Sequence, residues 1–316
     1  MFLRISELSK PSTMKQQPAP LQPGDKIGLA ATARAIQPSE ISHALAVIQA
    51  WEYEPVLAPH LFERKNQFAG TDEQRSEDLQ LFLEDEEIKA ILCVRGGYGT
   101  IRTLEPFVGK KFRQPKWLIG FSDVTVLHTY LQQHLHWQSV HGPMAFSFQP
   151  NAQAQQAAEA LHALLQGTPP SLEAEPHPFN ILGEITGEIV GGNLSVLYST
   201  MGTPFELDTR GKILFLEDLD EYLYHVDRML MNLKLAGKLA HLKGLVIGGM
   251  THMNDNSTPF GIQAEEIIRE HTQELNIPIA YNFPCGHMDK NMPLVLGGVY
   301  CLHVTAEGAL LQPTEK

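Results

Sequence analysis

The feature that most restricts how this chain can fold is a repeated order of segments. A short continuous apolar run is followed by a turn, then by a stretch with apolar residues three or four positions apart. Residues 26–31, 55–58, 88–94 and 117–119 supply the runs. Uninterrupted runs of that length suit strands buried on both faces, the condition of a parallel sheet. Between them, Ile41, Leu45 and Ile48 give segment 38–51 a helical apolar face, and Asp72 and Glu73 open an acidic helix over 71–83. Strand and helix therefore alternate, which predicts an α/β fold on a parallel sheet with right-handed crossovers. Such sheets hold ligands at the carboxyl ends of their strands. Two turns fall there, Arg95-Gly96-Gly97-Tyr98-Gly99 and Gly120-Phe121-Ser122-Asp123, and they are expected to share one crevice. Helical spacing resumes after each, at Ile101, Leu104 and Phe107 and at Val124, Leu127 and Leu131. Residues 139–144 read as a fifth, edge strand.

The alternation pauses and then restarts. Segment 151–172 is rich in alanine and glutamine and predicts a helix, running into the proline-bearing stretch 168–178. Residues 151–182 are therefore assigned as a linker between a first domain, 21–150, and a second, 183–316, with residues 1–20 a flexible arm. In the second domain strands are expected at 183–192, 212–216 and 244–249, and two more, 294–298 and 299–304, close it. A net charge of −12 without any Lys/Arg-rich run argues against nucleic acid or an anionic membrane as partner. No stretch nears the ~18 apolar residues of a membrane span. Residues 1–20 lack the apolar centre of a secretory signal, so the cytoplasm is the expected location. Cys93, Cys285 and Cys301 are too few and too scattered for a disulfide framework or a zinc knuckle.

Three residues could carry chemistry together. Ser122 lies at a strand-to-helix turn, where a hydroxyl can project beside the N–H groups of the new helix, as a serine nucleophile requires. Serine at such a place is also the commonest helix N-cap, and the stretch alone favours that role. Gly96 and Gly97 let backbone N–H groups approach a ligand, although the turn lacks both the dinucleotide glycine spacing and the Walker lysine. Glu217 directly follows the apolar run 213–216, beside Asp218, Asp220 and Glu221. It suits a solvated loop, or the orienting of a histidine. No histidine pair at ligand spacing accompanies these acids, so no metal and no cofactor is expected. His128, His134 and His136 need only packing or solvent roles, whereas His287 stands in the tight loop Pro284-Cys285-Gly286-His287. The order Ser…Glu…His is that of the α/β-hydrolases, but Gly120-Phe121-Ser122-Asp123-Val124 breaks their Gly-x-Ser-x-Gly elbow and points to another fold.

Five blocks in order bring these residues to a known family. They are Arg95-Gly96-Gly97-Tyr98-Gly99, Gly120-Phe121-Ser122-Asp123-Val124-Thr125, Gly191-Gly192-Asn193-Leu194, Leu216-Glu217-Asp218 with Asp227-Arg228-Met229-Leu230, and Gly286-His287. The chain resembles the LD-carboxypeptidases, or muramoyltetrapeptide carboxypeptidases, serine peptidases that also include the microcin C immunity peptidases. The resemblance runs from Gly24-Asp25 to about Gly298. It implies an N-terminal flavodoxin-like domain with a smaller C-terminal α/β domain, usually in a homodimer. It also implies Ser122 as nucleophile, His287 as general base and acid, Glu217 as its orienting carboxylate, and the N–H groups of Gly97 and Asp123 as oxyanion hole. The implied substrate is a cytoplasmic murein tetrapeptide, cut between the L-centre of a diamino acid and a terminal D-alanine during cell-wall recycling. A carboxypeptidase must also pair the terminal carboxylate, for which Arg95 and Arg228 are the candidates. Two alternatives stay open: a microcin C-type peptidyl-nucleotide hydrolase of the same family, and a non-catalytic small-ligand-binding module.

Overall fold

The computed structural model describes residues 15–314. The first sheet is built from β1 (Lys26–Ala30), β2 (Glu54–Leu57), β3 (Ile88–Cys93), β4 (Trp117–Gly120) and β5 (Ser139–His141), all parallel. Their spatial order is 2-1-3-4-5, the flavodoxin-like winding. Every residue of β4 and all but one of β3 are buried, as their unbroken apolar runs require. Around the sheet lie α1 (Pro38–Ala50), α2 (Asp72–Glu84), α3 (Thr125–Tyr130) and α4 (Ala152–Leu165). All but α3 begin on a local capping signal. The Thr71 hydroxyl accepts from Gln74 N–H at 3.2 Å to start α2, and Asn151 accepts from Ala154 N–H at 2.9 Å to start α4.

The second sheet takes β6 (Leu172–Ala174), β7 (Gly183–Asn193), β8 (Ile213–Leu219), β9 (Gly244–Thr251) and β10 (Ile279–Ala280), then β12 (Val299–Thr305) and β13 (Gly308–Pro313). The strand between them in the chain, β11 (Leu294–Leu296), leaves this sheet and pairs antiparallel with β5 of the first. Helices α5 (Leu194–Ser199), α6 (Leu223–Leu235) and α7 (Ala264–Thr272) pack on the far face. The near face, with Phe215, Val246, Ala280 and Phe283, joins the first domain's core in one continuous apolar cluster. Each buried valine or phenylalanine there contributes roughly 1.5–3 kcal/mol over its exposed state, so the seam between the domains is a core rather than a hinge surface.

Four local expectations need correction. Residues 139–144 hold a strand, but not an edge, because β11 covers it. The run 294–298 does not close the second domain; it is donated to the first, since apolar character buries a strand without choosing its sheet. Segment 151–165 is not linker, since Ala157, Leu161 and Leu164 of α4 are buried in the first domain's core. After the glycine turn only the short 3-10 turns Thr100–Thr103 and Glu105–Phe107 form, because Pro106 lacks an N–H and crowds the preceding turn. Of the expected arm, residues 1–14 lie outside the described residues. Residues 15–20 are bound: Gln16 bridges to Trp137, and the Trp117 indole N–H donates to the Ala19 carbonyl at 3.0 Å.

Candidate active site

Ser122 sits in a turn that its backbone can hold only under strain. Phe121 is extended at φ −152°, and Ser122 then turns to φ +62°. A non-glycine residue in that left-handed region costs on the order of 1–2 kcal/mol. Such residues concentrate where function over-determines the backbone. Gly120 makes the turn fit, because a β-carbon there would lie 2.9 Å from the Val124 side chain. The N-cap role is not realised. Phe121 occupies the cap position without a side-chain bond, and Ser122 is the first residue of the 3-10 turn Ser122–Val124. Its hydroxyl is left to the crevice, facing Gly96, where a β-carbon would stand 3.3 Å from Oγ.

The residues flanking Ser122 fix this turn from behind. Asp123 is buried, and its Oδ2 accepts the Thr100 N–H at 2.8 Å, tying the glycine turn to the serine turn. Burial raises its carboxyl above the ordinary range, against the opposing pull of that Thr100 bond. As second residue of the 3-10 turn, the Asp123 N–H has no intrahelical acceptor. His128 lies wholly in the core, its ring 2.9 Å from both Ser139 Oγ and the Gly120 carbonyl. Burial pushes it down to about 4, so it is a neutral prop under the turn.

Glu217, on β8, is fully buried. Its Oε2 accepts two hydrogen bonds from one residue, the His287 ring Nδ1–H at 2.7 Å and the His287 backbone N–H at 3.1 Å. Gly286 permits this approach. At φ +100° it adopts a conformation side chains resist, and a β-carbon would lie 2.5 Å from Glu217 Oε2. The loop is fixed further by Gly286 N–H donating to Asn291 Oδ1 at 2.8 Å and by Thr251 Oγ1 donating to the His287 carbonyl at 2.8 Å. Burial acts to lower the His287 pKa, but the Glu217 hydrogen bond and charge, with Asp218 behind them, outweigh it and leave it raised. With Nδ1 committed to Glu217, Nε2 is the nitrogen left for chemistry. The neighbouring His141 is held neutral by burial, so it adds no second charge beside His287.

The acids expected beside Glu217 all have partners. Asp218 accepts from Asn193 Nδ2 at 2.8 Å and Ser195 N–H at 2.9 Å, and burial, aided by the Glu217 charge, pushes it up to about 7. Asp220 accepts from Asn254 Nδ2 at 2.8 Å, and Glu221 pairs with His225 at 2.5 Å. Among the described residues no cluster of His, Cys, Asp and Glu is arranged to hold a metal ion.

Ser122, Gly97, Asp123 and His287 line one cleft of about 660 Å³ at the carboxyl ends of β3, β4 and β8. The Phe121 ring lies 4.8 Å from the His287 ring across the domain seam. No hydrogen bond joins the Ser122 hydroxyl to His287 among the described residues. The seam is pinned nearby, where Asn193 N–H donates to Thr125 Oγ1 at 3.0 Å. Arg95 lines the cleft, but it is bound to Glu40 at 3.0 Å and stacked over Phe146. Arg228 does not line it; it lies over Tyr224, because α6 turns that face away. Arg34, which no motif marks, lines the cleft from the loop after β1. A second cavity, of about 530 Å³, is lined by Lys15, Lys212 and Lys243 and contains no candidate nucleophile.

Residues 27–142 match the LD-carboxypeptidase N-terminal domain, and residues 186–302 match the LD-carboxypeptidase C-terminal domain. A protein of Bacillus subtilis named probable murein peptide carboxypeptidase is 32% identical over 304 residues, covering 95% of each chain. The murein tetrapeptide carboxypeptidase of Pseudomonas aeruginosa is 29% identical over 282 residues, 85% of this chain and 91% of its own. The crystal structure of muramoyltetrapeptide carboxypeptidase from Oxalobacter formigenes superposes with a TM-score of 0.79 at 27% identity, over 92% of this chain and 99% of that one. MccF in complex with glutamyl sulfamoyl guanosine shares the fold, with a TM-score of 0.82 at 18% identity over 96% of this chain and 99% of its own. A two-domain α/β chain matched in both halves, and along nearly its whole length by a relative above 30% identity, belongs to the LD-carboxypeptidase family and is a carboxypeptidase.

Proposed function

We propose that this carboxypeptidase is a serine enzyme that releases the terminal D-alanine of murein tetrapeptides. The observation that carries the reading is His287, held by the buried Glu217, lining the same cleft as a serine held at positive φ. Ser122 is the nucleophile. His287 Nε2 takes its proton as Oγ attacks the scissile carbonyl, and Glu217 holds the ring and stabilises the imidazolium. The N–H groups of Gly97 and Asp123 receive the oxyanion, each such donor typically lowering the barrier by roughly 3–4 kcal/mol. His287 then protonates the departing amine, and water hydrolyses the acyl-enzyme in the reverse sequence.

The two walls of the cleft differ in charge. Arg34 and Arg95 come from the first domain, Asp220 and Glu221 from the second. A diamino acid followed by a free carboxylate offers groups of both signs to such a site. Cytoplasmic peptide recycling and homodimeric assembly belong to the same reading. The assay is incubation with murein tetrapeptide and mass analysis for loss of one alanine. Ser122→Ala is expected to abolish that loss while unfolding as the wild type does. Turnover near wild type by the variant would overturn the assignment. An acyl-sulfamoyl-adenylate assayed beside the tetrapeptide, and cleaved in its place, would turn the reading to a microcin C-type substrate.

A further inference from the structure

We propose that Arg34 is the residue that makes this site an exopeptidase site, by pairing with the substrate's terminal carboxylate. The inference rests on the substrate reading above and adds a specificity-determining residue to it.

The position follows from reach. In a peptide cut before its last residue, the terminal carboxylate lies one residue beyond the scissile carbonyl, no more than about 3.6 Å along the chain. Its cation must therefore stand beside the oxyanion donors. Arg34 does so. A β-carbon at Gly97 would lie 2.6 Å from Arg34 Cδ and 2.7 Å from Nε. Adding one carbon–carbon bond of ~1.5 Å, Nε is within about 4 Å of the Gly97 α-carbon. The Arg34 stem thus crosses the glycine whose N–H is assigned to the oxyanion. Gly97 has no side chain for a second reason besides its φ of +115°: any side chain would displace the arginine.

The loop that carries Arg34 is fixed on both sides. Ala35 N–H donates to the Gln67 carbonyl at 2.9 Å, and Ala69 N–H donates to the Ala33 carbonyl at 3.0 Å. The guanidinium itself has no carboxylate partner among the described residues. The other arginine of the cleft, Arg95, is paired with Glu40, and Arg64 does not line the cleft. Among the described residues lining the cleft, Arg34 is therefore the arginine without a carboxylate partner, and it stands beside Gly97, while the second domain contributes Asp220 and Glu221 to the lining. A guanidinium fork pairs a carboxylate with two parallel hydrogen bonds, whereas a C-terminal amide can satisfy only part of that geometry and carries no charge.

The test compares wild type, Arg34→Gln and Arg34→Lys on a murein tetrapeptide and on the same peptide with a C-terminal carboxamide. Wild type is expected to prefer the acid by roughly 10- to 100-fold in kcat/KM, the range of a lost charge-assisted hydrogen bond. In Arg34→Gln that ratio should collapse toward one, chiefly through KM for the acid. Arg34→Lys should restore part of it. A merely structural arginine would change both peptides alike and leave the ratio in place. An unchanged ratio in Arg34→Gln, or a wild type indifferent to amidation, overturns the assignment of Arg34 alone. A wild type that cleaves neither peptide overturns the substrate reading and this inference with it.

Discussion

Ser122 and His287 reach one cleft from two domains, but different forces hold them there. Ser122 is positioned by its own backbone: a glycine before it, a left-handed φ, and a buried aspartate tying its turn to the neighbouring loop. Its side chain makes no cap bond. His287 is positioned by its side chain. It is bound twice to a carboxylate that has no exposed surface, in a loop that only a glycine can close. One half of the site stores strain, and the other stores a buried charge. Chemistry and stability should therefore separate at Ser122 and stay coupled at Glu217.

The largest expected effect tests the coupled half. Glu217→Gln removes the charge but keeps the shape, presenting His287 with a partner that favours the wrong tautomer. Steady-state assays should show kcat reduced by roughly 10⁴-fold, the magnitude known for the analogous change in other serine triads. A loss below tenfold would mean that Glu217 serves packing only. A second measurement sharpens the contrast through pH. His287 must be neutral to accept a proton, and its pKa is raised above 6.5, so kcat/KM should fall about tenfold per pH unit on the acid side of that raised value. Its contribution to stability has the opposite sign. The folded state holds the His287 proton more tightly than the unfolded chain, so this stabilisation is complete below 6.5 and is lost as pH rises through the raised value. An acid limb centred below 6.5 would contradict the Glu217 effect. The smallest effect probes the strained half. Ser122→Gly removes the left-handed penalty and should raise unfolding stability by about 1 kcal/mol in denaturant titration, while leaving no nucleophile. Destabilisation would show that the hydroxyl has a structural role after all.

Much of this was legible in the residues, for identifiable reasons. Runs such as 88–94 and 117–119 are apolar without alternation, and only a doubly covered sheet accepts them. Ser122, Glu217 and His287 each read alone as a cap, a solvated acid and a loop histidine, and it is their order together with the five family blocks that joins them as a candidate triad. The destination of β11 was not legible, because three apolar residues read the same whichever sheet they join. The apolar spacing of Ile101, Leu104 and Phe107 reads as a helix, but Pro106 within it limits the chain to two short 3-10 turns. Arg34 left no local signal. It is one arginine in a loop, and its significance comes from Gly97, distant in sequence and adjacent only after β1 and β3 pair.

The exchange of β11 has a consequence for how the molecule can be divided. The segment carrying His287 is anchored at one end by β10 in the second sheet and at the other by β11 in the first. Cutting the chain between the apparent domains would not yield two self-sufficient pieces. The N-terminal fragment would keep β5 but lose its outer neighbour, exposing the unpaired N–H and C=O groups of a strand that is buried in the whole chain, a template for association with other chains. The C-terminal fragment would carry a short apolar strand with no sheet to receive it. The base of the proposed active site is thus strung on the stitch that joins the two domains, more than a hundred residues beyond the point where a domain count would divide the chain.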